Sequence, residues 1–219
     1  MPHSYHFPMT LVLDHVARIA PTRVLDVGVG FGKWGFLIRE LLDFSQGRLE
    51  PETWRTEIVG VEAFDYRSPL HDWIYDRMIR ADVRDVVDQL TGYDAVVLGD
   101  VIEHLPKEDG MALLQGLLAM NATVVVSTPL DFFEQDIAGN EHERHLSHWT
   151  RADFAGWTYD YDVAGGAAVV VALAGADSPY PAPRDRRISD LVYRLPGLRR
   201  RGGVARVLKQ LAVAAVPGH

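Results

Sequence analysis

The stretch Val24-Leu25-Asp26-Val27-Gly28-Val29-Gly30-Phe31-Gly32-Lys33-Trp34-Gly35 joins a short apolar run to four closely spaced glycines and then to a helical pattern. This order predicts a buried strand that turns sharply into a helix. Glycine lets the backbone turn and lets a ligand lie close against it, and the free N–H groups at a helix start favour anionic or polar ligands. The stretch therefore predicts a ligand-binding turn at the carboxyl end of a strand.

Two common glycine-rich motifs fit this turn poorly. A phosphate-binding loop has a glycine five residues before the glycine that precedes its lysine, and a serine or threonine after that lysine. Here Val27 and Trp34 occupy those two positions. The dinucleotide fingerprint has a longer gap before its third glycine than the spacing Gly28-x-Gly30-x-Gly32. The turn therefore differs from both motifs.

Outward from the turn, short β-branched runs alternate with helical patterns over residues 1–175. This alternation is typical of a parallel sheet with crossover helices, and so of an α/β fold. Gly165 and Gly166 separate the last two apolar runs and predict an antiparallel hairpin at the edge of the sheet. We predict strands over 23–27, 57–62, 77–81, 95–99, 123–127, 157–163 and 167–174, and helices over 9–19, 33–44, 83–90, 106–119 and 151–155.

Acidic residues mark the ends of the next three predicted strands: Glu62, Asp82 and Asp100. With the glycine turn, they resemble in order the motifs of class I S-adenosylmethionine-dependent methyltransferases, over about residues 9–175. The resemblance implies a Rossmann-like, seven-stranded, mostly parallel sheet that binds S-adenosylmethionine, with Glu62 on the ribose hydroxyls and Asp82 near the adenine amine. The donor-binding residues that it implies are Asp26, Gly28, Gly30, Gly32, Glu62, Asp82 and Asp100.

The segment Asp100-Val101-Ile102-Glu103-His104-Leu105-Pro106 follows the fourth predicted strand. It lacks the Asn/Asp-Pro-Pro-Tyr/Phe motif of enzymes that methylate exocyclic amines of bases, and the absence of cysteine excludes cytosine C5 methylation. If residues 100–104 form one helical turn, Asp100, Glu103 and His104 lie on one face. Two carboxylates and an imidazole can hold a divalent cation, of which Mg²⁺ or Mn²⁺ fits best.

This pattern resembles the acid-x-x-Glu-His arrangement of metal-dependent O-methyltransferases that act in quinone biosynthesis and on small-RNA 3′ ends. The first acid is Glu in those families and Asp100 here. The alternative is a metal-free segment, because Glu-His-Leu-Pro is also frequent in relatives without a metal, where Pro106 simply opens the next helix. Both interpretations remain open from the sequence.

A second cluster of polar residues follows the fifth predicted strand, in Asn140-Glu141-His142-Glu143-Arg144-His145-Leu146-Ser147-His148-Trp149-Thr150. It resembles an Asn-x-x-Glu-x-His-x-Ser-x-Trp segment of methyltransferases encoded beside glycan-assembly genes. A neutral histidine can take the proton from an acceptor hydroxyl or complete a metal site, and we predict this for His145 before His142 and His148. The predicted catalytic residues are His145, Glu103 and His104, and the predicted metal ligands are Asp100, Glu103, His104 and His145.

Three residues at the end of this segment or just after it have structural alternatives. Trp149 either stacks on a sugar ring or packs in the core. Thr150 and Asp153 have the spacing of a capping box, which predicts the start of a helix.

The charge distribution predicts a separate carboxyl-terminal region. Residues 184–219 hold nine of the 22 basic and two of the 30 acidic residues, a net charge of +7 against −15 for residues 1–183. We predict a proline-rich linker over 176–183 and a basic amphipathic helical extension over 184–219, suited to self-association or to contact with an anionic membrane. The acidic body argues against nucleic-acid binding. The absence of cysteine and of a leader or membrane-spanning pattern predicts a cytoplasmic location.

The predicted function is O-methylation of a hydroxyl group on a small saccharide. A phenol, quinone or natural-product scaffold is the alternative acceptor. A nicotinamide oxidoreductase or a catalytically silent binding module is a more distant alternative, and the sequence contains no Tyr-x-x-x-Lys pair of short-chain dehydrogenases. The composition, rich in Ala, Arg, Asp, Gly and Val, predicts an actinobacterial source, and within that group the chain resembles sugar O-methyltransferases of methylmannose polysaccharide precursors.

Overall fold

The computed structural model describes residues 6–135, 140–175 and 178. Its strands are β1 (Arg23–Val27), β2 (Glu57–Glu62), β3 (Arg77–Arg80), β4 (Ala95–Gly99), β5 (Thr123–Pro129), β6 (Thr158–Ala164) and β7 (Ala168–Ala174). They form one seven-stranded sheet in the order β3-β2-β1-β4-β5-β7-β6. All seven strands that the sequence predicts are confirmed, with bounds that differ by two residues or fewer.

Strand direction confirms the mostly parallel sheet and its edge hairpin. The pairs β1–β2, β1–β4, β2–β3 and β4–β5 are parallel, while β7 is antiparallel to both β5 and β6. Val27 at the end of β1 is paired with Val61 on one side and Leu98 on the other. The carboxyl ends of the three central strands are therefore level, and the residues that follow them meet at one edge.

The helices are α1 (Met9–Ile19), α2 (Lys33–Leu42), α3 (Pro69–Ile74), α4 (Val83–Val86) and α5 (Lys107–Ala119). The sequence does not predict α3, where Ser68 accepts a hydrogen bond from Leu70 N and Pro69 takes the first helical position. The predicted helix over 151–155 is a four-residue 3₁₀ turn. Its capping box between Thr150 and Asp153 is confirmed.

Both faces of the sheet are covered. Val12, Ile38 and Ile74 from α1, α2 and α3 pack on one face, and a second core cluster that includes Val83 and Leu114 from α4 and α5 covers the other. Because β1, β2 and β4 are buried on both sides, their sequences are almost continuously apolar. Asp26 in β1 is an exception to this apolar pattern. A buried polar group of this kind needs a hydrogen-bond partner.

Two further predictions concern membrane-spanning helices and the carboxyl-terminal region. No helix among the described residues has both the length and the apolar character needed to cross a bilayer. The predicted linker over 176–183, apart from Ser178, and the predicted basic extension over 184–219 lie outside the described residues and stay predictions.

Candidate active site

A cavity of about 450 Å³ lies at the carboxyl ends of β1, β2 and β4. This volume is in the range of small-molecule binding sites. Two residues predicted to bind the donor, Asp26 and Gly32, are outside the lining. The predicted site residues that line the cavity are Gly28, Gly30, Glu62, Asp82, Asp100, Glu103, His104 and His145.

The glycine turn has the backbone conformation and the space that only glycine supplies. Gly28 and Gly30 have φ angles of +74° and +55°, in the left-handed region. A Cβ atom on Gly28 would lie 2.4 Å from Val101 Cγ2. The backbone of the turn therefore forms part of the cavity wall directly.

The peptide groups on both sides of Gly30 are held by side chains. Its N–H donates to Glu62 Oε2 at 2.8 Å, and its carbonyl accepts from His71 Nε2 at 2.8 Å. The other ring nitrogen, His71 Nδ1, lies 2.8 Å from Arg80 Nη2. Since a guanidinium only donates, Nδ1 accepts and Nε2 carries the hydrogen. His71, which no motif in the sequence marks, thus orients the turn.

Glu62 accepts hydrogen bonds from the backbone and also lines the cavity. Its Oε2 accepts from Gly30 N, and its Oε1 accepts from Phe64 N at 2.8 Å. Each carboxylate oxygen has a second lone pair. Because Glu62 lines the cavity, these lone pairs are suited to accept hydrogen bonds from ligand hydroxyls.

Asp82 is held at the amino end of α4. Its Oδ1 accepts from the Arg84 backbone N–H at 2.9 Å, and the Arg84 guanidinium donates to both carboxylate oxygens, at 3.0 and 2.6 Å. These hydrogen bonds lower the pKa of Asp82. A charged carboxylate is therefore fixed beside the cavity.

Asp26 supports the turn from behind the cavity wall. Its Oδ2 accepts from Tyr75 Oη at 2.6 Å and from Gly35 N at 3.1 Å, and the side chain is fully buried. Burial raises its pKa to about 6. The structure thus gives Asp26 contacts with the first turn of α2 and with Tyr75.

Glu103, His104 and His145 come together, with one possible ligand atom of each within 4.8 Å of the others. His104 Nδ1 donates to the Arg144 carbonyl at 3.2 Å, and His145 Nδ1 donates to the Phe133 carbonyl at 2.9 Å. In the neutral form of each ring, Nε2 is therefore the nitrogen without a hydrogen, and burial lowers the pKa of His104, which favours that neutral form. Two imidazole nitrogens and a carboxylate are suited to hold a divalent cation.

The state of Glu103 supports the same conclusion. Burial first, and the charge of Asp100 second, raise the pKa of Glu103 well above its usual range. Its Oε2 accepts from Thr128 Oγ1 at 3.1 Å, while its buried Oε1 has no hydrogen-bond partner in the described part of the chain. A buried carboxylate oxygen without a donor is costly, and a cation at this position would satisfy it.

Asp100 departs from the prediction of a helical turn over 100–104. The 3₁₀ turn covers only Ile102–His104, and Asp100 has a φ of +57°. Its N–H donates to the Ser127 carbonyl at 2.9 Å. The left-handed conformation removes Asp100 from the face that carries Glu103 and His104, and it is not part of the three-residue cluster. It lines the cavity beside that cluster.

Residues 140–149 show an alternation of buried and exposed side chains that explains their sequence pattern. Tyr66, in the loop after β2, donates from Oη to Glu143 Oε1 at 2.6 Å, and Asn140 Nδ2 donates to the same Oη at 2.6 Å. No motif in the sequence marks Tyr66. The buried residues of the segment are the five that match the glycan-associated motif: Asn140, Glu143, His145, Ser147 and Trp149.

Trp149 packs in the core, and the interpretation that it stacks on a sugar is wrong. It is 1% exposed and lies against Phe154, with ring centroids 5.7 Å apart. The Ile102 carbonyl accepts from Trp149 Nε1 at 3.0 Å and from Ser147 Oγ at 3.1 Å. These bonds attach the segment to the 3₁₀ turn that carries Glu103.

No protein-family model and no curated protein sequence matches the chain. Among solved structures it is similar to the N-terminal domain of EvdMO1 in the presence of S-adenosylhomocysteine (SAH) and D-fucose, with a TM-score of 0.53, 16% identity, and 79% of this chain and 84% of that chain covered. It is also similar to an O-methyltransferase family protein from Burkholderia thailandensis (TM-score 0.54, 10% identity), covering 78% of this chain but only 56% of that protein. A third similar structure is the DhpI–SAH complex (TM-score 0.52, 14% identity; 77% and 85% covered). The similarity shows a shared fold and confirms the Rossmann-like methyltransferase architecture.

Proposed function

We propose that this chain is an S-adenosylmethionine-dependent O-methyltransferase that acts on a hydroxyl group of a small saccharide. The observation that carries the proposal is that one cavity is lined both by the glycine turn with Glu62 and by the cluster of Glu103, His104 and His145. A methyl donor and a hydroxyl acceptor must meet within one enclosed space for an in-line transfer. Similar folds that contain SAH, one of them in the presence of D-fucose, support both parts of the proposal.

The donor occupies the half of the cavity formed after β1, β2 and β3. Glu62 accepts hydrogen bonds from the ribose hydroxyls through the lone pairs that Gly30 and Phe64 leave free. Asp82 faces the adenine end, held there by Arg84. The backbone of the glycine turn lies against the amino-acid part of the donor.

The cluster of Glu103, His104 and His145 holds a divalent cation in this proposal. Of the two cations that the sequence predicts, Mn²⁺ suits two imidazole nitrogens better than Mg²⁺, which prefers oxygen ligands. A bound cation would lower the pKa of the acceptor hydroxyl. His145 Nε2 is the second group that would promote deprotonation of the acceptor hydroxyl. A neutral imidazole within reach of the hydroxyl can accept its proton directly.

Exposed aromatic and aliphatic side chains favour a second class of acceptor. Phe31, Phe133 and Leu146 line the cavity and are 46%, 40% and 48% exposed. The Phe132 ring, also exposed, lies 6.4 Å from the His145 ring. Such an apolar opening is suited to a phenol or quinone scaffold. The strand order, with β7 inserted antiparallel between β5 and β6, disfavours the nicotinamide alternative, because dinucleotide-binding sheets have the order 3-2-1-4-5-6.

Transfer of a radiolabelled methyl group tests the proposal. The purified protein, with Mn²⁺, is given labelled S-adenosylmethionine and matched panels of free saccharides, phenyl glycosides, catechols and hydroquinones. Labelled saccharide ethers are the expected product, and labelled phenol ethers would instead support the second acceptor class. Binding of SAH without transfer to any acceptor in either panel would identify a silent binding module.

Three narrower points belong to the proposal and rest on the sequence alone. They are the cytoplasmic location, the actinobacterial source, and self-association or membrane contact through residues 184–219. The similarity to solved structures does not support the narrower resemblance to enzymes of methylmannose polysaccharide precursors. The proposed acceptor is therefore a saccharide hydroxyl without further specification.

A further inference from the structure

Lys33 is the first residue of α2 and lines the cavity directly after the glycine turn. Its Nζ atom is buried and has no hydrogen-bond partner among the residues that the structure describes. The ring of Trp34 lies 4.3 Å from Nζ. Burial lowers the pKa of Lys33, and the charges of Asp100 and Asp26 oppose that effect. Burying an ammonium group without a hydrogen-bonded anion costs free energy. Because Lys33 lines a cavity, an anionic ligand bound there would supply that partner.

The neighbouring acids do not provide that hydrogen bond. Asp26 Oδ2 accepts from Tyr75 and Gly35, and its Oδ1 has no hydrogen bond with any described residue, Lys33 included. The interaction of Lys33 with Asp100 is one of charge over distance. Lys33 is therefore not accounted for as a structural counter-ion.

The other basic side chain in the described lining is already paired with carboxylates. Arg84 donates to both oxygens of Asp82 and to Asp109 Oδ2 at 2.6 Å. Lys33 thus offers a positive charge to the cavity without such a pairing. A ligand with a carboxylate group matches this charge.

We propose that Lys33 binds the carboxylate of the amino-acid end of the methyl donor. The inference rests on the proposed function, in which Glu62 and Asp82 fix the ribose and adenine on the side of β2 and β3. The amino-acid end then extends toward β4, where Asp100 follows the strand and Lys33 faces the same cavity. The carboxylate provides the hydrogen-bond acceptor that Nζ lacks among the described residues.

Calorimetry with three related probes tests this assignment. SAH carries the carboxylate and the ammonium, its decarboxylated analogue keeps the ammonium only, and 5′-methylthioadenosine lacks both. The wild-type protein is expected to bind SAH about 10- to 100-fold more tightly than the decarboxylated analogue, as for one charged hydrogen bond. Lys33→Met is expected to lose the same factor for SAH, with less than a twofold change for the other two probes.

Two further variants separate the carboxylate contact from general effects of charge and folding. Lys33→Arg keeps a cation at the site and is expected to recover most of the affinity for SAH. Arg67→Met removes one positive charge from a side chain that is 92% exposed and is expected to bind all three probes as the wild type does. The comparison of probes on the wild type needs no variant, so it stays informative if Lys33→Met does not fold.

The outcomes distinguish this inference from the proposed function. Equal wild-type affinity for SAH and its decarboxylated analogue would overturn the Lys33 assignment and leave donor binding intact. An equal loss for all three probes in Lys33→Met would show a structural role instead of a carboxylate contact. A wild-type protein that binds none of the three would remove the proposed donor site, and the assignment with it.

Discussion

The two halves of the cavity are assembled in different ways. In the proposed donor half, the glycine turn directly follows β1, and Glu62 is the last residue of β2. These two strands are parallel neighbours whose carboxyl ends are level. In the other half, which we propose binds the acceptor and call the acceptor half, Glu103 meets His145 because residues 140–149 are hydrogen-bonded to the 3₁₀ turn. One such bond joins Ser147 to Ile102, 45 residues apart. The proposed donor site is thus formed by the sheet itself, while the cluster of Glu103, His104 and His145 depends on the attachment of residues 140–149.

This difference predicts that changes in the two halves have separable effects. Variants of the donor half are expected to alter ligand affinity or the stability of the sheet. Variants of the acceptor half are expected to alter turnover and acceptor binding with little change in donor affinity. Four experiments test this separation, beginning with the largest expected effect.

Glu103→Gln is expected to lower turnover about 10³-fold, because it removes the negative charge from the proposed cation site. The affinity for SAH is expected to stay within twofold of wild type. Thr128→Val, which removes only the hydrogen bond to Glu103 Oε2, serves as the milder matched change. EDTA is expected to abolish wild-type activity and Mn²⁺ to restore it. Full turnover of the chelated enzyme would rule out the cation and leave His145 as the base.

Asp26→Asn tests the buried carboxylate beneath the donor half by its pH dependence. The pKa of Asp26 is raised from 3.8 to about 6 in the folded protein. At pH values between these two, Asp26 is therefore mostly protonated in the folded state and mostly ionised in the unfolded state. The contribution of Asp26 to stability therefore falls as pH rises from about 4 to about 6. The stability of wild type relative to Asp26→Asn is expected to fall by about 3 kcal/mol over this window. Urea unfolding at pH 4, 5, 6 and 7 measures the difference, and a flat difference would contradict the prediction.

Glu62→Gln is expected to weaken SAH binding by about 1.5–3 kcal/mol, since a charged acceptor of the ribose hydroxyls is lost. Its amide group also cannot accept from Gly30 N and Phe64 N at the same time. Turnover at saturating donor is expected to change by less than about threefold. Glu57→Gln, at the opposite end of β2, is the matched control and is expected to bind SAH normally. Unchanged SAH affinity in Glu62→Gln would place the ribose elsewhere.

Tyr66→Phe is expected to have the smallest effect, about 1 kcal/mol in the free energy of unfolding, because it removes the hydroxyl shared by Asn140 and Glu143. The KM for the acceptor is expected to rise severalfold while the affinity for SAH stays unchanged. Tyr93→Phe removes a hydroxyl at the other end of the strands and is expected to leave that KM unaltered. An equal change in both variants would show that Tyr66 does not position the acceptor loop.

The strands and the glycine turn could be predicted because their signals are local. Runs of β-branched residues, the spacing of Gly28, Gly30 and Gly32, and acids at strand ends each lie within a few residues of the feature that they form. Helix α3 was missed because its six residues are too short for a helical periodicity to show, although Ser68 and Pro69 are typical of a helix start.

The contacts that position the site were predicted less well because they depend on partners distant in sequence. Nothing local marks His71 as the residue that holds the Gly30 carbonyl, or Tyr66 as the partner of Asn140 and Glu143. Asp100 was assigned to a helical face because its left-handed backbone conformation, unusual for a residue other than glycine, has no clear signal in a sequence. The position of Lys33 directly after the glycine turn is visible in the sequence and indicates that it lies near the site. The burial of its Nζ atom is visible only in the structure.

The alternation along residues 140–149 has an evolutionary consequence. The buried members of the alternation attach the segment and include His145 of the cluster, while Glu141, His142 and Leu146 are exposed and still line the cavity. Substitutions on this exposed face leave the anchoring side chains in place. If the cavity binds an acceptor as we propose, a lineage carrying this scaffold would acquire new acceptor preferences through a few changes on this exposed face, while the anchoring side chains stay unchanged.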